Sequence, residues 1–392
     1  MINFDYSNHT EIVFGKDTEN RVGELVKKHG GKKVLLHYGG SSAKKSGLYD
    51  RVVASLSEAG ISFVELGGVQ PNPRLSLVHK AIELCRKENV DFILAVGGGS
   101  VIDSSKAISM GIGYDGDVWD YFEGREAEAI TPIGAVLTIP AAGSESSTDA
   151  VITNDLKNNF KWPSCSSDRL RPVFSVLNPE ITFTLPDYQT AAGATDIIAH
   201  AFERYFTNDP SQDLSDRLLE SVVECVVKYT PVALENKNHY ASRAQLMWAG
   251  TLAHNNLFGM GRTGDWASHM MEHELSALYD VPHGAGLAVI MPAWMEYVME
   301  HDLKRFGQMG NRVFGAEFDV FHQDRPARRG IERFRFFLKK IGMPSTLEEL
   351  GIPGDRLEEM ADRCTANGQY TLGSFVELTR DDVLNIYKSC LK

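Results

Sequence analysis

Asp196 and His200 stand four residues apart in AGATDIIAHAFERYF, a run whose spacing predicts a helix, so both side chains leave one helical face. A carboxylate and an imidazole placed this way can share a metal ion, although an isolated pair of this kind more often makes a hydrogen bond along the helix surface. Downstream, TGDWASHMMEHELSALYDVPHGAGLAVIMP carries His269, His273 and His283, a dense cluster for a chain with 12 histidines in 392 residues. His269 and His273 are again one helical turn apart, and His283, between Pro282 and Gly284, marks a loop-to-helix junction. Four ligands drawn from Asp196, His200, His269, His273 and His283 would make an oxygen-and-nitrogen site with no sulfur, suited to Fe²⁺, Zn²⁺ or another borderline divalent ion. Satisfied core histidines would account for any one of these residues but not for the group.

The same stretch permits a rival chemistry. His269-Met270-Met271-Glu272-His273 matches the HxxEH pattern of inverted zinc metallopeptidases, in which both histidines bind zinc and Glu272 activates water. That alternative explains neither Asp196 and His200 nor the glycine turns of the first half.

Gly97-Gly98-Gly99-Ser100 follows an apolar run and opens the helical pattern VIDSSKAISM, the context of a phosphate-binding turn, where glycines let backbone N–H groups approach a pyrophosphate at a helix N-terminus. The spacing is not GxGxxG, and a ligand-free strand-to-helix turn would look similar. A second turn, Gly39-Gly40-Ser41-Ser42, ends an earlier strand, where the adenosine end of a dinucleotide lies in doubly wound sheets. No acid stands in that turn to bind ribose hydroxyls, and Lys44 and Lys45 follow it, so NADP(H) is expected over NAD(H). The plainer alternative is that the two lysines form a solvated helix face.

The elements that must hold these residues change character along the chain. Apolar runs at 32–39, 61–66, 91–99 and 135–141 alternate with amphipathic segments that end near Gly or Asn, which predicts an α/β domain with a doubly wound, mostly parallel sheet. After Leu177-Asn178-Pro179 strand-like runs nearly vanish, and an all-α second domain is expected, entered through Thr184-Leu185-Pro186-Asp187 with Thr184 as N-cap. The division is placed at 1–182 and 183–392.

Composition narrows the partners. A net charge of −12 without a basic run speaks against nucleic acid. Five scattered cysteines with no CxxC pair fit neither a disulfide framework nor a zinc ribbon, and point to a reducing cytoplasm. No leader-like start and no apolar run of membrane-spanning length is seen. A soluble homodimer acting on a small molecule is expected.

Taken together, VFGK, YGGSSAKKSGLYDRV, GVQPNPR, AVGGGSVIDSSK, TIPAAGSESS, LRPVFSVLNPE, AAGATDIIAHAFERYF and HMMEHELSALYDVPHGAGLAVIMP resemble, in order and spacing, the iron-containing (group III) alcohol dehydrogenases, most closely their butanol dehydrogenase and aldehyde reductase branch. The resemblance covers nearly the whole chain. It implies a dinucleotide-binding N-terminal domain, an all-helical C-terminal domain and an active site between them. It also implies metal ligation by Asp196, His200, His269 and His283, with His273 beside the metal as the proton-relaying catalytic residue. The cofactor would meet Gly40 and Ser42 at its adenosine phosphate end, Asn72 beside it, Gly99, Ser100 and Asp103 at the pyrophosphate, and Thr138, Ser147 and Lys161 toward the nicotinamide. Three positions depart from the pattern: Ala142 replaces a threonine, Ser147 an asparagine, and Asn178 the aspartate of an LDPE-like run, the last expected to matter for structure alone. The implied reaction is hydride transfer between NAD(P)(H) and a primary alcohol or aldehyde such as butanol or butanal.

Overall fold

Continuous apolar runs become parallel strands, because a strand covered on both faces has no side to give to water. Six strands, β1 (Glu11–Phe14), β2 (Lys33–Tyr38), β3 (Ser62–Leu66), β4 (Phe92–Gly97), β5 (Ile133–Leu137) and β6 (Phe174–Leu177), form one all-parallel sheet in the order β1-β6-β5-β4-β2-β3. A computed structural model describes residues 1–127, 129–157, 160–161, 164–319 and 321–392, without the side chains of 160 and 161. Central β4 is buried throughout, and Ala95 faces His37 on one side and Ala135 on the other. The helices α1 (Val22–Lys28), α2 (Ser42–Lys45), α3 (Leu48–Glu58), α4 (Leu75–Glu88) and α5 (Gly99–Ile112) connect the strands.

Alternation along the strands divides the core into layers. Val34, Leu36, Phe92 and Leu94 pack with Val26 of α1 and Val52 and Leu56 of α3, whereas Leu35 and Ile93 pack with Val78 and Ile82 of α4 and Ile108 of α5. Each such fully buried side chain contributes about 1.5–3 kcal/mol of transfer free energy. Strands β1 and β6 were not foreseen from sequence; each has only four residues, too few for a period to declare itself. The run expected at 135–141 is a strand only at Ile133–Leu137, and Thr138 begins the loop that follows.

The chain divides into two units. One comprises Ser7–Leu185 with Lys237–Asn255, and the other Met1–Tyr6, Pro186–Asn236 and Asn256–Lys392. Against the expected 1–182 and 183–392, the first unit also takes in a late helix. The reason is specific: Met247 packs with Ala95, Ile102 and Leu137, and the Thr251 hydroxyl donates to Glu145 Oε1 at 2.6 Å. Helical periodicity identifies such a segment as a helix but carries no information about which core it joins.

The second unit is helical among its described residues. α6 (Asp187–Tyr205), α7 (Asp213–Glu235), α8 (Tyr240–His254, in the first unit), α9 (Ala267–Tyr279) and α10 (His283–Val298) are followed by four further α-helices, with α10 packed on both α6 and α9. Thr184 belongs to a short 3-10 turn, Pro179–Thr184, and Pro186 occupies the N-cap of α6, so the expected threonine cap is not used. Asn178 caps that turn instead by accepting the Glu180 N–H at 3.0 Å, and its Nδ2 donates to Glu19 at 2.8 Å, a structural role.

Candidate metal centre

α6 supplies Asp196 and His200 from one face, both 4% exposed. Ligand atoms of Asp196, His200 and His269 all lie within 4.8 Å of one another. His283, the first residue of α10, brings Nε2 to 3.8 Å from Asp196 Oδ1, and His269 brings Nε2 to 3.9 Å from the same oxygen. The helix spacing read from sequence therefore produces convergence, and the loop between α9 and α10 returns His283 to it.

His269 and His283 each engage Nδ1 with a carboxylate from outside this set, whereas His200 Nδ1 faces Asp196 itself. His200 Nδ1 lies 2.9 Å from the Asp196 carbonyl oxygen and 3.1 Å from Asp196 Oδ1. His269 Nδ1 lies 2.8 Å from Glu203 Oε1, and His283 Nδ1 makes a short hydrogen bond to Glu272 Oε2. An imidazole whose Nδ1–H is donated keeps the Nε2 lone pair for a metal, the usual arrangement of metal-binding histidines. One carboxylate oxygen and three imidazole nitrogens so arranged fit a borderline divalent ion.

Glu203 was not foreseen. It also accepts the backbone N–H groups of Trp266, at 2.6 Å, and His269, at 3.0 Å, and so caps α9 from α6. Burial and the neighbouring Asp265 carboxylate push the Glu203 carboxyl well above its ordinary range. Its position, seven residues after Asp196 and three after His200 on the same helical face, was the available signal. Trp266 adopts a left-handed φ of 68° and sets its ring edge-on to His200 and His269, at 6.1 and 5.4 Å between centroids. His273 is half-buried, 5.5 Å from the His283 ring and 6.4 Å from the His269 ring, beside the donor set.

The expected cofactor residues belong to the first unit, and several cluster at the C-terminal ends of its adjacent strands. Gly39, Gly40, Ser41 and Ser42 follow β2, Gly98, Gly99 and Ser100 follow β4, and Thr138 follows β5, its N–H donating to the Gly97 carbonyl at 3.0 Å. This is where doubly wound sheets bind nucleotides. Gly98 is the N-cap of α5 and makes no side-chain cap. Asn72 is buried with a φ of 56°. Asp103 is turned to internal work: it accepts the Ser144 hydroxyl at 2.5 Å and the Val151 N–H at 3.1 Å. Ser147 is buried, and Lys106, whose ammonium burial pushes down to about 8, donates to its Oγ at 3.2 Å and its carbonyl at 3.0 Å. The Lys161 side chain lies outside the described residues.

Known proteins match both units. The family model for iron-containing alcohol dehydrogenase matches residues 9–179, and that for the C-terminal part of the Fe-containing alcohol dehydrogenase family matches 190–391. The chain is 44% identical to NADH-dependent butanol dehydrogenase A of Clostridium acetobutylicum, covering 99% of each. It is 35% identical to the NADPH-dependent aldehyde reductase YqhD of Escherichia coli, over 99% of this chain and 100% of that protein. The crystal structure of NADH-dependent butanol dehydrogenase A from Thermotoga maritima superposes with a TM-score of 0.95 at 42% identity, covering 100% of this chain and 99% of that one. This protein belongs to the iron-containing alcohol dehydrogenase family.

Proposed function

We propose that the protein is a metal-dependent alcohol dehydrogenase and aldehyde reductase, transferring hydride between a nicotinamide cofactor and a short primary alcohol or aldehyde such as butanol or butanal. The observation that carries this reading is that ligand atoms of Asp196, His200 and His269 lie within 4.8 Å of one another, with His283 Nε2 3.8 Å from Asp196 Oδ1, in a chain of this family. When bound, a divalent ion supplies Lewis acidity at the substrate oxygen and the nicotinamide supplies or takes the hydride. Fe²⁺ is the proposed ion, with Zn²⁺ and Mn²⁺ as substitutes. The chain's own residues hold the donor nitrogens in register through Glu203 and Glu272, while His273, half-buried beside His283, exchanges the substrate proton with solvent. Glu272 is wholly buried and uses its carboxylate on His283, which leaves it unsuited to activating water and removes the basis of the metallopeptidase alternative.

For the cofactor, NADP(H) was expected from sequence, and the relatives named above include both NADPH-dependent and NADH-dependent enzymes; the surroundings of Lys44 favour NADH as our proposal. That expectation relied on Lys44 and Lys45, on the amides and hydroxyls of the Gly39–Ser42 turn, and on the lack of an acid there. Glu65, in β3, accepts the hydroxyls of Tyr38 at 2.9 Å and Tyr49 at 2.8 Å and the Lys44 ammonium at 3.4 Å. Those tyrosine hydroxyls hold Glu65 below the ordinary carboxylate range, so Lys44 is paired with a negative charge and is a poor partner for a second phosphate. The butanol dehydrogenases named above, described as NADH-dependent, agree in direction. The protein is further taken to be a cytoplasmic homodimer; among the described residues no helix is long and apolar enough to cross a membrane.

The test is a steady-state assay of Fe²⁺-reconstituted protein with butanal and either cofactor, beside a peptide-hydrolysis control. Aldehyde-dependent oxidation with kcat/KM at least about tenfold higher for NADH, a difference of about 1.4 kcal/mol, is expected. Higher kcat/KM with NADPH restores the original cofactor preference; oxidation of neither cofactor refutes the function.

A further inference from the structure

Glu272 has no part in hydride transfer, yet its surroundings are built around it. It is 0% exposed, and its two oxygens have separate partners: Oε2 takes the short hydrogen bond from His283 Nδ1, and Oε1 accepts the Ser276 hydroxyl at 2.6 Å. Ser276 follows Glu272 by one turn of α9, so the helix itself orients the carboxylate. The opposing helix leaves room for it. A Cβ on Gly286 would come within 2.5 Å of Glu272 Oε1 and 2.6 Å of its Cγ, so the first turn of α10 has a notch where the carboxylate lies. The N-terminus of a helix also favours a negative charge.

We infer that Glu272 is a positioning residue for His283. Resting on the assignment of His283 as a metal ligand, the inference is that Glu272 accepts Nδ1–H and thereby selects the tautomer whose Nε2 lone pair faces Asp196 Oδ1, 3.8 Å away. Without a carboxylate acceptor the ring can carry its proton on Nε2 instead, and the donor set then loses one nitrogen. A charged acceptor also makes Nε2 a stronger donor. The consequence is a higher affinity of the whole site for a divalent ion, set by a residue that does not touch it.

The test uses the metal-stripped full-length protein with Co²⁺ as probe, its Kd measured by competition with a chelator and its coordination followed in the visible spectrum. Glu272→Gln, which keeps the shape but loses the charge, should raise the Co²⁺ Kd by about 10–100-fold and alter the visible bands. In a His283→Ala background the same change should move the Kd by less than about twofold, since the residue acts through that ring. A wild-type Kd and spectrum in Glu272→Gln overturn the inference, as does an equal effect with and without His283. If His283→Ala itself binds Co²⁺ as tightly as the wild type, the ligand assignment fails instead, which keeps the two outcomes distinct. Should Glu272→Gln not fold, Gly286→Ala, which crowds the carboxylate away from His283, should weaken Co²⁺ binding in the same direction, and a wild-type Kd there also overturns the inference.

Discussion

His273 and His283 lie ten residues apart in sequence with rings 5.5 Å apart, yet the proposed function gives them different work. His283 brings Nε2 to 3.8 Å from Asp196 Oδ1, whereas the His273 ring lies beside those of His283 and His269, at 5.5 and 6.4 Å. His283→Ala and His200→Ala should each weaken metal binding at least about tenfold and abolish turnover with it. His273→Ala should retain its metal and lose turnover by about 10²-fold or more, the ordinary worth of a positioned proton-transfer group. Elemental analysis beside steady-state rates separates the two, and metal loss in His273→Ala matching that of the ligand variants would place it in the donor set. The pairs Asp196/His200 and His269/His273 were legible in sequence because a spacing of four on a helix encodes a shared face, while the choice of four proposed ligands came from the family resemblance. Glu272 was legible only as a motif letter. Its role depends on the distance to His283, which the return of the chain from α9 into α10 sets.

The strand-to-helix turn from β4 into α5 is the element on which the proposed nucleotide binding depends. A Cβ on Gly98 would lie 2.2 Å from Ile139 Cγ2, so Gly98→Ala must push the turn or the loop after β5 out of place. A cost of about 1–3 kcal/mol is expected from such overpacking, with weaker NADH binding; denaturant midpoints and a fluorescence titration check both. Unchanged affinity would mean that this turn does not approach the cofactor. Nearby, His37 of β2 ties Leu66 of β3 and Ser104 of α5 through its two ring nitrogens, at 2.7 and 2.9 Å, and burial pushes its pKa down from 6.5 to about 4. Below pH 6.5 the unfolded chain takes up a proton that the folded chain refuses until about pH 4. Stability is therefore complete above that window and falls as pH drops through it, by up to about 3 kcal/mol from this group. Urea midpoints at pH 7 and pH 4.5 should show the loss, and His37→Gln should shrink it. The glycine run after β4 was readable from sequence as a strand-to-helix turn, because it separates an apolar run from a helical pattern. His37 was not, since a histidine inside an apolar strand reads as a defect until its two partners are seen.

At the scale of the whole molecule the proposed ligands all come from the helical unit, and the expected nucleotide contacts all come from the sheet unit. A metal present at 100 times its Kd stabilises the state that binds it by about 2.7 kcal/mol. Chelation should therefore lower the thermal midpoint and Fe²⁺ should restore it, as calorimetry of the purified protein can measure; a midpoint indifferent to both would mean that the donor set holds no ion in solution. The change from strand-and-helix alternation to continuous helix was visible in the residues, because burial on two faces and burial on one stripe demand different apolar periods. So were the one-turn pairs Asp196/His200 and His269/His273 and the glycine turns, whose physics is local. The membership of α8 in the sheet unit, the carboxylates behind His269 and His283, and the pairing of Lys44 with Glu65 were decided by tertiary structure alone. Each joins residues distant in the chain through packing, and a one-dimensional period records which face a side chain takes but not what it will meet there.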